Sequence, residues 1–295
     1  MIDNFCLAWN WEYDAGFVRL LETASTRHGL TIFQVTPHNM EPALAALADG
    51  GLHFRAFFDR ASDSDPRFQP FADWAKSQQI IRINPQEQAR WAWDKATMHL
   101  EFIARGLPTP HTIILPPFSE QPHLPDIDLS PLDGCFAIKP ALGGGGWGVV
   151  LEATSIDQVY AARQEYPQEK LLLQAHVEPA SLDGRPAWFR VLVCNGAVYT
   201  CWWDTRTHIY GRVTAEENFR FGLRFLREIP ARIAQFCQLE LFSTEIAITV
   251  DGQFLVTDYV NDPIDLRLQS EAVDGVPDAI VENIVSRLIR LVDSK

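Results

Sequence analysis

Positive charge is scarce in this chain: 25 Lys and Arg stand against 38 Asp and Glu, a formal net charge of −13 at pH 7 over 295 residues. That balance speaks against nucleic acid as a partner, because such binding rests on neutralising phosphates with basic side chains. Long apolar runs are missing too. None reaches the roughly 20 residues that span a bilayer, so no membrane is expected as a partner. The N-terminus, MIDNFCLAWNWEYD, lacks a basic n-region and a long apolar h-region, which argues against a signal peptide. The five cysteines, Cys6, Cys135, Cys194, Cys201 and Cys237, are odd in number and form no Cys-x-x-Cys pair. Most sit among apolar neighbours, so buried reduced thiols and a cytoplasmic location are expected, with no feature selecting a catalytic one. No Gly-x-Gly-x-x-Gly follows the first strand, which removes the usual support for a nicotinamide or flavin site. No internal repeat or low-complexity tract is visible.

What is present is a chain long enough for two or three modest domains, with 47% hydrophobic residues and aromatics along its whole length. Residues 1–90 alternate strand and helix. NFCLAW, LTIFQVT, LHFRAFF and IIRIN read as strands, and GFVRLLETASTRHG, EPALAALADGG and PFADWAKSQQ as helices. The alternation predicts an α/β unit, a small open parallel sheet covered on both faces. Ligands of such sheets bind beyond the carboxyl ends of the strands. The loops there hold Asn10, Trp11, Tyr13 and Asp14, then Pro37 and His38, then Asp59, Arg60, Ser62 and Asp63.

A helical pattern runs from Asn84 to Gly106 and stops at Leu-Pro-Thr-Pro. HTIILPP follows as a strand, and SEQPHLPDIDLSPLDG, rich in proline and acid, reads as a linker. Beyond residue 135 the pattern is α+β. FAIKP is a strand, SIDQVYAARQEY a helix and LLLQAHV a strand. WFRVLVC and AVYTCWW pair across Asn195-Gly196, a type I′ signal. FGLRFLREIPARIAQFCQL is helical, with Pro230 expected to break or kink it. STEIAITVDGQFLVTDYV is a hairpin turned at Asp251-Gly252, and PDAIVENIVSRLIRLVD a closing helix.

Two stretches carry chemistry. In FAIKPALGGGGWGVV, Lys139 ends a strand and Gly143, Gly144, Gly145, Gly146 and Gly148 follow. Glycines let backbone N–H groups approach an anion, and the lysine adds a point charge suited to phosphate oxygens. No Gly-Lys-Ser/Thr follows and the next element is a strand, so this is not a Walker A loop. The pattern predicts a hairpin lid over nucleotide phosphates. In the second stretch Glu245 and Asp258 flank the Asp251-Gly252 turn, which puts both carboxylates on one face of the hairpin. With Asn261 just beyond, they offer an all-oxygen site suited to Mg²⁺ rather than zinc. Any one of these residues alone is ordinary: a surface lysine, a cross-strand acid, an edge arginine.

In their order along residues 90–265 these motifs resemble the ATP-grasp superfamily, and within it carboxylate–amine ligases of the ribosomal-protein glutamate ligase, glutathione synthetase-like and D-alanine–D-alanine ligase type. The resemblance implies an ATP-grasp fold behind a Rossmann-like pre-ATP-grasp domain. The domains would be 1–90, a central lobe with the lid over 91–178, and a C-terminal lobe with the metal hairpin over 179–295. DKATMHLEFIARGLPTPHT is similar to the family's helix bearing the first phosphate lysine, here Lys95. IKPALGGGGWGV is similar to its second lysine and lid. Gln174, Ala175, His176 and Val177 match the connector that meets the adenine edge. Arg190 matches the arginine facing the transferred phosphoryl group, and Glu245, Asp258 and Asn261 match the metal ligands. ATP and Mg²⁺, with Mn²⁺ as an alternative, are the implied cofactors.

Two departures stand out: Trp188 occupies the usual place of the ribose acid, a role Glu178 could take, and Asn261 falls three residues after Asp258 rather than two. At the latter either the strand bulges or Asp262 contributes instead. The implied activity is formation of an acyl phosphate on a small-molecule carboxylate and its capture by an amine. Lys139 and Arg190 would serve catalysis, and Arg60 and Arg267 are candidates for gripping substrate. The alternatives are a small-molecule kinase of the same fold and a nucleotide-binding protein without turnover. Assembly into a homo-oligomer stays open.

Overall fold

A computed structural model describes residues 3–293. Its first sheet contains β1 (Asp3–Trp9), β2 (Ile32–Val35), β3 (Phe54–Arg60) and β4 (Ile81–Ile83), all parallel in the order β2-β1-β3-β4. The crossovers are α1 (Ala15–Arg27), α2 (Met40–Ala48) and α3 (Gln69–Ser77). A parallel strand is covered on both faces and therefore reads as near-continuous apolar sequence. β1 does so: Phe5 and Leu7 pack on Phe17 and Leu21 of α1, while Cys6 and Ala8 face the core shared with α2 and α3.

The single helix expected between Asn84 and Gly106 is two, α4 (Gln86–Trp93) and α5 (Lys95–Ala104). Asp94 between them is extended, at φ −71° and ψ 99°, and its carboxylate accepts from the Thr97 N–H at 3.0 Å. An N-cap aspartate competes with helix continuation, and here the cap wins. Lys95 thereby becomes the first residue of α5.

The second sheet is antiparallel, with β5 (Thr112–Leu115), β6 (Phe136–Pro140), β7 (Val150–Ala153) and β8 (Leu171–Ala175) in the order β5-β8-β6-β7. Helix α6 (Ile156–Glu165), started by a Ser155/Gln158 capping box, covers one face. The proline-rich segment 119–134 does not join two domains; it connects two strands of this one sheet. Its sparse apolar residues Leu124, Ile127 and Leu129 pack on the same core and Leu132 is buried in it. Arg163 of α6 clasps the segment's start through the carbonyls of Pro116 (3.1 Å) and Gln121 (2.6 Å).

A short ribbon, β9 (Ser181–Leu182) with β10 (Arg185–Pro186), leads into the third sheet. That sheet contains β11 (Trp188–Cys194), β12 (Ala197–Trp203), β13 (Tyr210–Arg212), β14 (Leu241–Ile248) and β15 (Phe254–Asn261), in the order β13-β12-β11-β14-β15. Asn195 and Gly196 both take positive φ, 43° and 74°, the type I′ turn that matches the twist of a tight hairpin. Helix α7 (Ala215–Arg220) opens with a Thr214/Glu217 capping box, a signal legible in TAEE. Helix α8 (Phe225–Cys237) runs through Pro230 without a break. Its buried face of Leu226, Ile229, Ile233 and Cys237 sits in the core under the third sheet, and that burial outweighs the hydrogen bond the proline lacks.

The last helix, α9 (Asp278–Asp293), ties the molecule together. Its apolar stripe, including Ile280, Ile284, Val285 and Leu288, shares one core with Phe17 of α1, Leu7 of β1 and Leu192 of β11. The first and third sheets therefore sit on common packing, which holds the carboxyl ends of the first sheet's strands beside the third. Among the described residues no helix is long and apolar enough to cross a membrane. Among the described residues no disulfide joins the five cysteines, and burial pushes the thiols of Cys194, Cys201 and Cys237 up to about 12, leaving them without thiolate character at neutral pH.

Candidate functional site

Glu245 on β14 stands directly opposite Asp258 on β15. The ladder is irregular on both sides of that pair. Ser243 pairs with Asn261 and Ile246 with Val256, so β15 carries an extra residue before and after Asp258. This double bulge is why Asn261 falls three residues after Asp258, and it re-aims the side chain it brackets. The Asn261 amide nitrogen donates to Asp258 Oδ2 at 3.0 Å, leaving its carbonyl oxygen for another partner. Asp262 lies away from the pair. Its Oδ1 accepts from Asn84 Nδ2 at 2.8 Å in a small acidic recess with Asp59 and Asp63, where burial pushes its carboxyl up to about 7.

Strand β11 fixes the other side of Glu245. Arg190 is its cross-strand neighbour and donates from Nη1 to Oε1 at 2.9 Å, while Trp188 Nε1 donates to Oε2 at 3.1 Å. Trp188, two residues before Arg190 and so on the same face, thus orients a carboxylate; that alternation was in the sequence but was not read for this role. Arg190 also donates from Nε to Ser243 Oγ at 3.3 Å and lies 5.0 Å over the Trp203 ring. Burial raises the Glu245 carboxyl against the pull of Arg190. At Asp258 burial also pushes upward, but Lys95, Lys139 and Arg190 together outweigh it and hold the group below the ordinary carboxylate range.

The cations come from the second sheet and α5. Lys139 donates to Gln174 Oε1 at 2.7 Å and to the Thr257 carbonyl, one residue from Asp258, at 3.1 Å. Its ammonium is buried, which lowers its pKa, while Asp258 and Glu245 favour the charge. Lys95 reaches from the first turn of α5 to the carbonyl of Gly143. In the β6–β7 hairpin Gly143, Gly145, Gly146 and Gly148 take positive φ. Gly148 has a second constraint, since a Cβ there would stand 2.7 Å from Pro140 Cγ and 3.0 Å from the Tyr166 ring. The rest of the loop is exposed, and Trp147 at its tip, 53% exposed, rests edge-on against Tyr166 at 4.6 Å. Fast amide exchange is therefore expected at Gly143–Gly146 in the free protein, slowed by Mg-ADP. Equal protection in both states, measured by hydrogen–deuterium exchange, would make the hairpin a rigid turn.

From the end of β8, Ala175, His176, Val177 and Glu178 line an open cleft of about 290 Å³, bounded on the other side by Pro110, His111 and the β14–β15 turn. Gln174 is not on it: its side chain is buried and turned toward Lys139. His176 lies 3.7 Å from Glu178.

Two arginines are engaged elsewhere. Arg60 is buried and forms a forked pair with Asp14, at 2.8 and 2.6 Å, and donates to the Ile264 carbonyl at 3.0 Å. It is a tie between the first sheet and the chain beyond β15, not a free grip for substrate. Arg267 is held by Asp265 (2.7 Å) and Asp274 (2.9 Å), lies 5.6 Å over Trp11, and has its pKa raised chiefly by the Asp265 hydrogen bond. Its Nε and Nη2 donate to protein carboxylates.

Among the described residues no three His, Cys, Asp or Glu side chains gather into a metal-binding group. Glu245, Asp258 and the Asn261 carbonyl are instead two carboxylates and an amide oxygen, a donor set that fits a hard cation with water completing its shell.

No protein-family model and no curated protein matches the chain. Solved structures do. A RimK-domain ATP-grasp protein from Sphaerobacter thermophilus is 18% identical with a TM-score of 0.65, covering 96% of this chain and 98% of that one. D-alanine–D-alanine ligase from Bacillus anthracis, complexed with ATP, is 11% identical with a TM-score of 0.67 and 99% coverage of both chains. The ATP-grasp ligase PsnB, complexed with a minimal precursor, Mg and ADP, is 12% identical with a TM-score of 0.64, covering 97% of this chain and 99% of that one. Over nearly its whole length, this chain has the ATP-grasp fold.

Proposed function

We propose that the protein is an ATP-dependent ligase that joins a small-molecule carboxylate to an amine through an acyl phosphate, releasing ADP and phosphate. The observation that carries this reading is the meeting of Lys139, from the strand before the glycine hairpin, with the strand that holds Asp258 opposite Glu245. Cations on one side and carboxylates on the other, around a loop that can offer backbone N–H groups, suit phosphoryl transfer, where rate comes from positioning and charge neutralisation. Structures of the same fold solved with ATP, or with Mg and ADP, support a nucleotide and Mg²⁺ as ligands.

Adenine would occupy the cavity beside residues 175–178, with Glu178 near enough for the ribose hydroxyls. Lys95, Lys139 and the glycine N–H groups would hold the phosphates. Glu245, Asp258 and Asn261 would hold Mg²⁺, or Mn²⁺, which when bound supplies positive charge to the phosphate oxygens. The substrate carboxylate oxygen attacks the γ-phosphorus in line as the bond to ADP breaks, and the amine then attacks the acyl carbon and expels phosphate. Arg190, fixed on Glu245 through Nη1, would turn its remaining N–H groups to the transferred phosphoryl oxygens.

The test is a screen of carboxylic acids, with and without amines, scored by ADP release in the presence of hydroxylamine. A hydroxamate and amine-stimulated ADP release are expected. A stable phosphoester formed without any amine would make the protein a kinase and overturn the ligase reading.

A further inference from the structure

Lys139 is tied to a chain of buried polar side chains that the phosphate role alone does not require. A lysine can only donate, so Oε1 of Gln174 is the atom that meets Lys139 Nζ at 2.7 Å, and the amide nitrogen faces the other way. That nitrogen donates to the Tyr259 hydroxyl at 3.3 Å. The hydroxyl accepts there and has its own proton for Nδ1 of His99, 2.7 Å away. With the His99 proton on Nε2, every bond points in one direction, from Lys139 through Gln174 and Tyr259 to His99. Burial lowers the His99 pKa, which keeps that end an acceptor. Gln174, Tyr259 and His99 are each at most 3% exposed.

The placement of these residues gives the chain a purpose. Lys139 pairs with Leu172 and Ala137 with Gln174 in the β6–β8 ladder, so Lys139 and Gln174 share the sheet face that looks toward α5 and β15. Tyr259 follows Asp258 directly on β15, and the Thr257 carbonyl that also receives Lys139 precedes it. His99 lies one helical turn after Lys95 on α5. The chain therefore links Lys139 and the carboxylate strand to the helix that carries Lys95.

We propose that Gln174, Tyr259 and His99 are positioning residues that set Lys139 against the carboxylate strand before nucleotide arrives. The inference rests on the nucleotide reading above and adds to it how the lysine is aimed. Two neutral acceptors, Gln174 Oε1 and the Thr257 carbonyl, hold the ammonium without cancelling its charge. The third N–H remains for a phosphate. A polarised chain of this kind strengthens each of its bonds.

Tyr259→Phe tests this, since it keeps the ring that packs edge-on at 5.1 Å against Phe102 and removes only the hydroxyl. Binding of Mg-ADP is measured by calorimetry, and binding of adenosine, which has no phosphate, by ligand-observed NMR. Tyr259→Phe is expected to weaken Mg-ADP about tenfold, equal to about 1.4 kcal/mol, and to leave adenosine unchanged. On a Lys139→Met background the same change should have no further effect, the mark of a residue acting through the lysine. Gln174→Met, which removes the middle of the chain at constant length, should repeat the result and serves if Tyr259→Phe does not fold. Equal losses for adenosine and Mg-ADP, or a further tenfold loss on the Lys139→Met background, would make Tyr259 a packing residue only and overturn the inference. Binding lost in Lys139→Met but kept in Tyr259→Phe and Gln174→Met would overturn it alone. A wild-type protein that binds no Mg-ADP would overturn the nucleotide reading as well.

Discussion

Asp258→Asn is expected to lower ADP release about a hundredfold or more while leaving a folded protein. A divalent cation on the transferring phosphate is worth several kcal/mol, and each 1.4 kcal/mol is about tenfold in rate. The substitution keeps the size of the side chain and an oxygen for Asn261, but removes the negative charge that Lys95, Lys139 and Arg190 surround. Asp258→Asn is a cleaner probe than Glu245→Gln, because Glu245 uses both oxygens on Arg190 and Trp188, and an amide can accept with only one. The second readout needs no substrate. Calorimetric titration of ADP in the wild type should depend on Mg²⁺, and in Asp258→Asn that dependence should be lost. If the variant keeps the wild-type Mg²⁺ dependence, the carboxylate pair is not the metal site.

Arg60→Met should destabilise the fold by about 3–5 kcal/mol, the usual result of leaving one partner of a buried ion pair alone. The side chains of Arg60 and Asp14 are each 2% exposed, and the arginine donates to both oxygens of the Asp14 carboxylate. The loss should appear as a lower urea midpoint with an unchanged slope. Arg60→Lys should recover only part of it, since an ammonium cannot reproduce a fork that spans both carboxylate oxygens and the Ile264 carbonyl. A midpoint within experimental error of the wild type would show that the pair contributes nothing. At temperatures where Arg60→Met is still folded, Mg-ADP affinity should match the wild type, because Arg60 holds protein rather than ligand.

The two sites differ in how much of them could be read in advance. That Glu245 and Asp258 flank one turn follows from local sequence, while their standing opposite each other takes the bulge before Asp258. The glycine hairpin follows from composition, because positive φ at four of its glycines needs no partner to specify it. Arg60 misled for the opposite reason. On a loop at the carboxyl end of a parallel strand an arginine is a sound ligand candidate, and only the approach of Asp14, 46 residues away in sequence, commits it. The side-chain partners of Gln174 are set at a distance in a similar way. Strand alternation puts it on the face opposite Leu171 and Leu173, but which neighbour that face meets depends on Tyr259, 85 residues on. The linker expected at 119–134 connects two strands of one sheet within the span expected for the central lobe, and its proline and acid content reports exposure and irregular backbone. It does not report whether the two ends belong to the same sheet.

The sequence alone determined the elements whose causes are short-ranged. These are the alternating strands and helices of residues 1–90, the I′ turn at Asn195-Gly196, the capping boxes, the glycine hairpin and the carboxylates flanking Asp251-Gly252. Each depends on residues within one turn or one hairpin of one another. Tertiary structure decided everything that depends on which surfaces meet. It carried α8 through Pro230, engaged Arg60 and Arg267 with protein carboxylates, and brought Lys139 to the Thr257 carbonyl. The physical reason is that a buried charge or hydrogen-bonding group must find a partner once water is removed, and the partners that satisfy it come from distant parts of the chain.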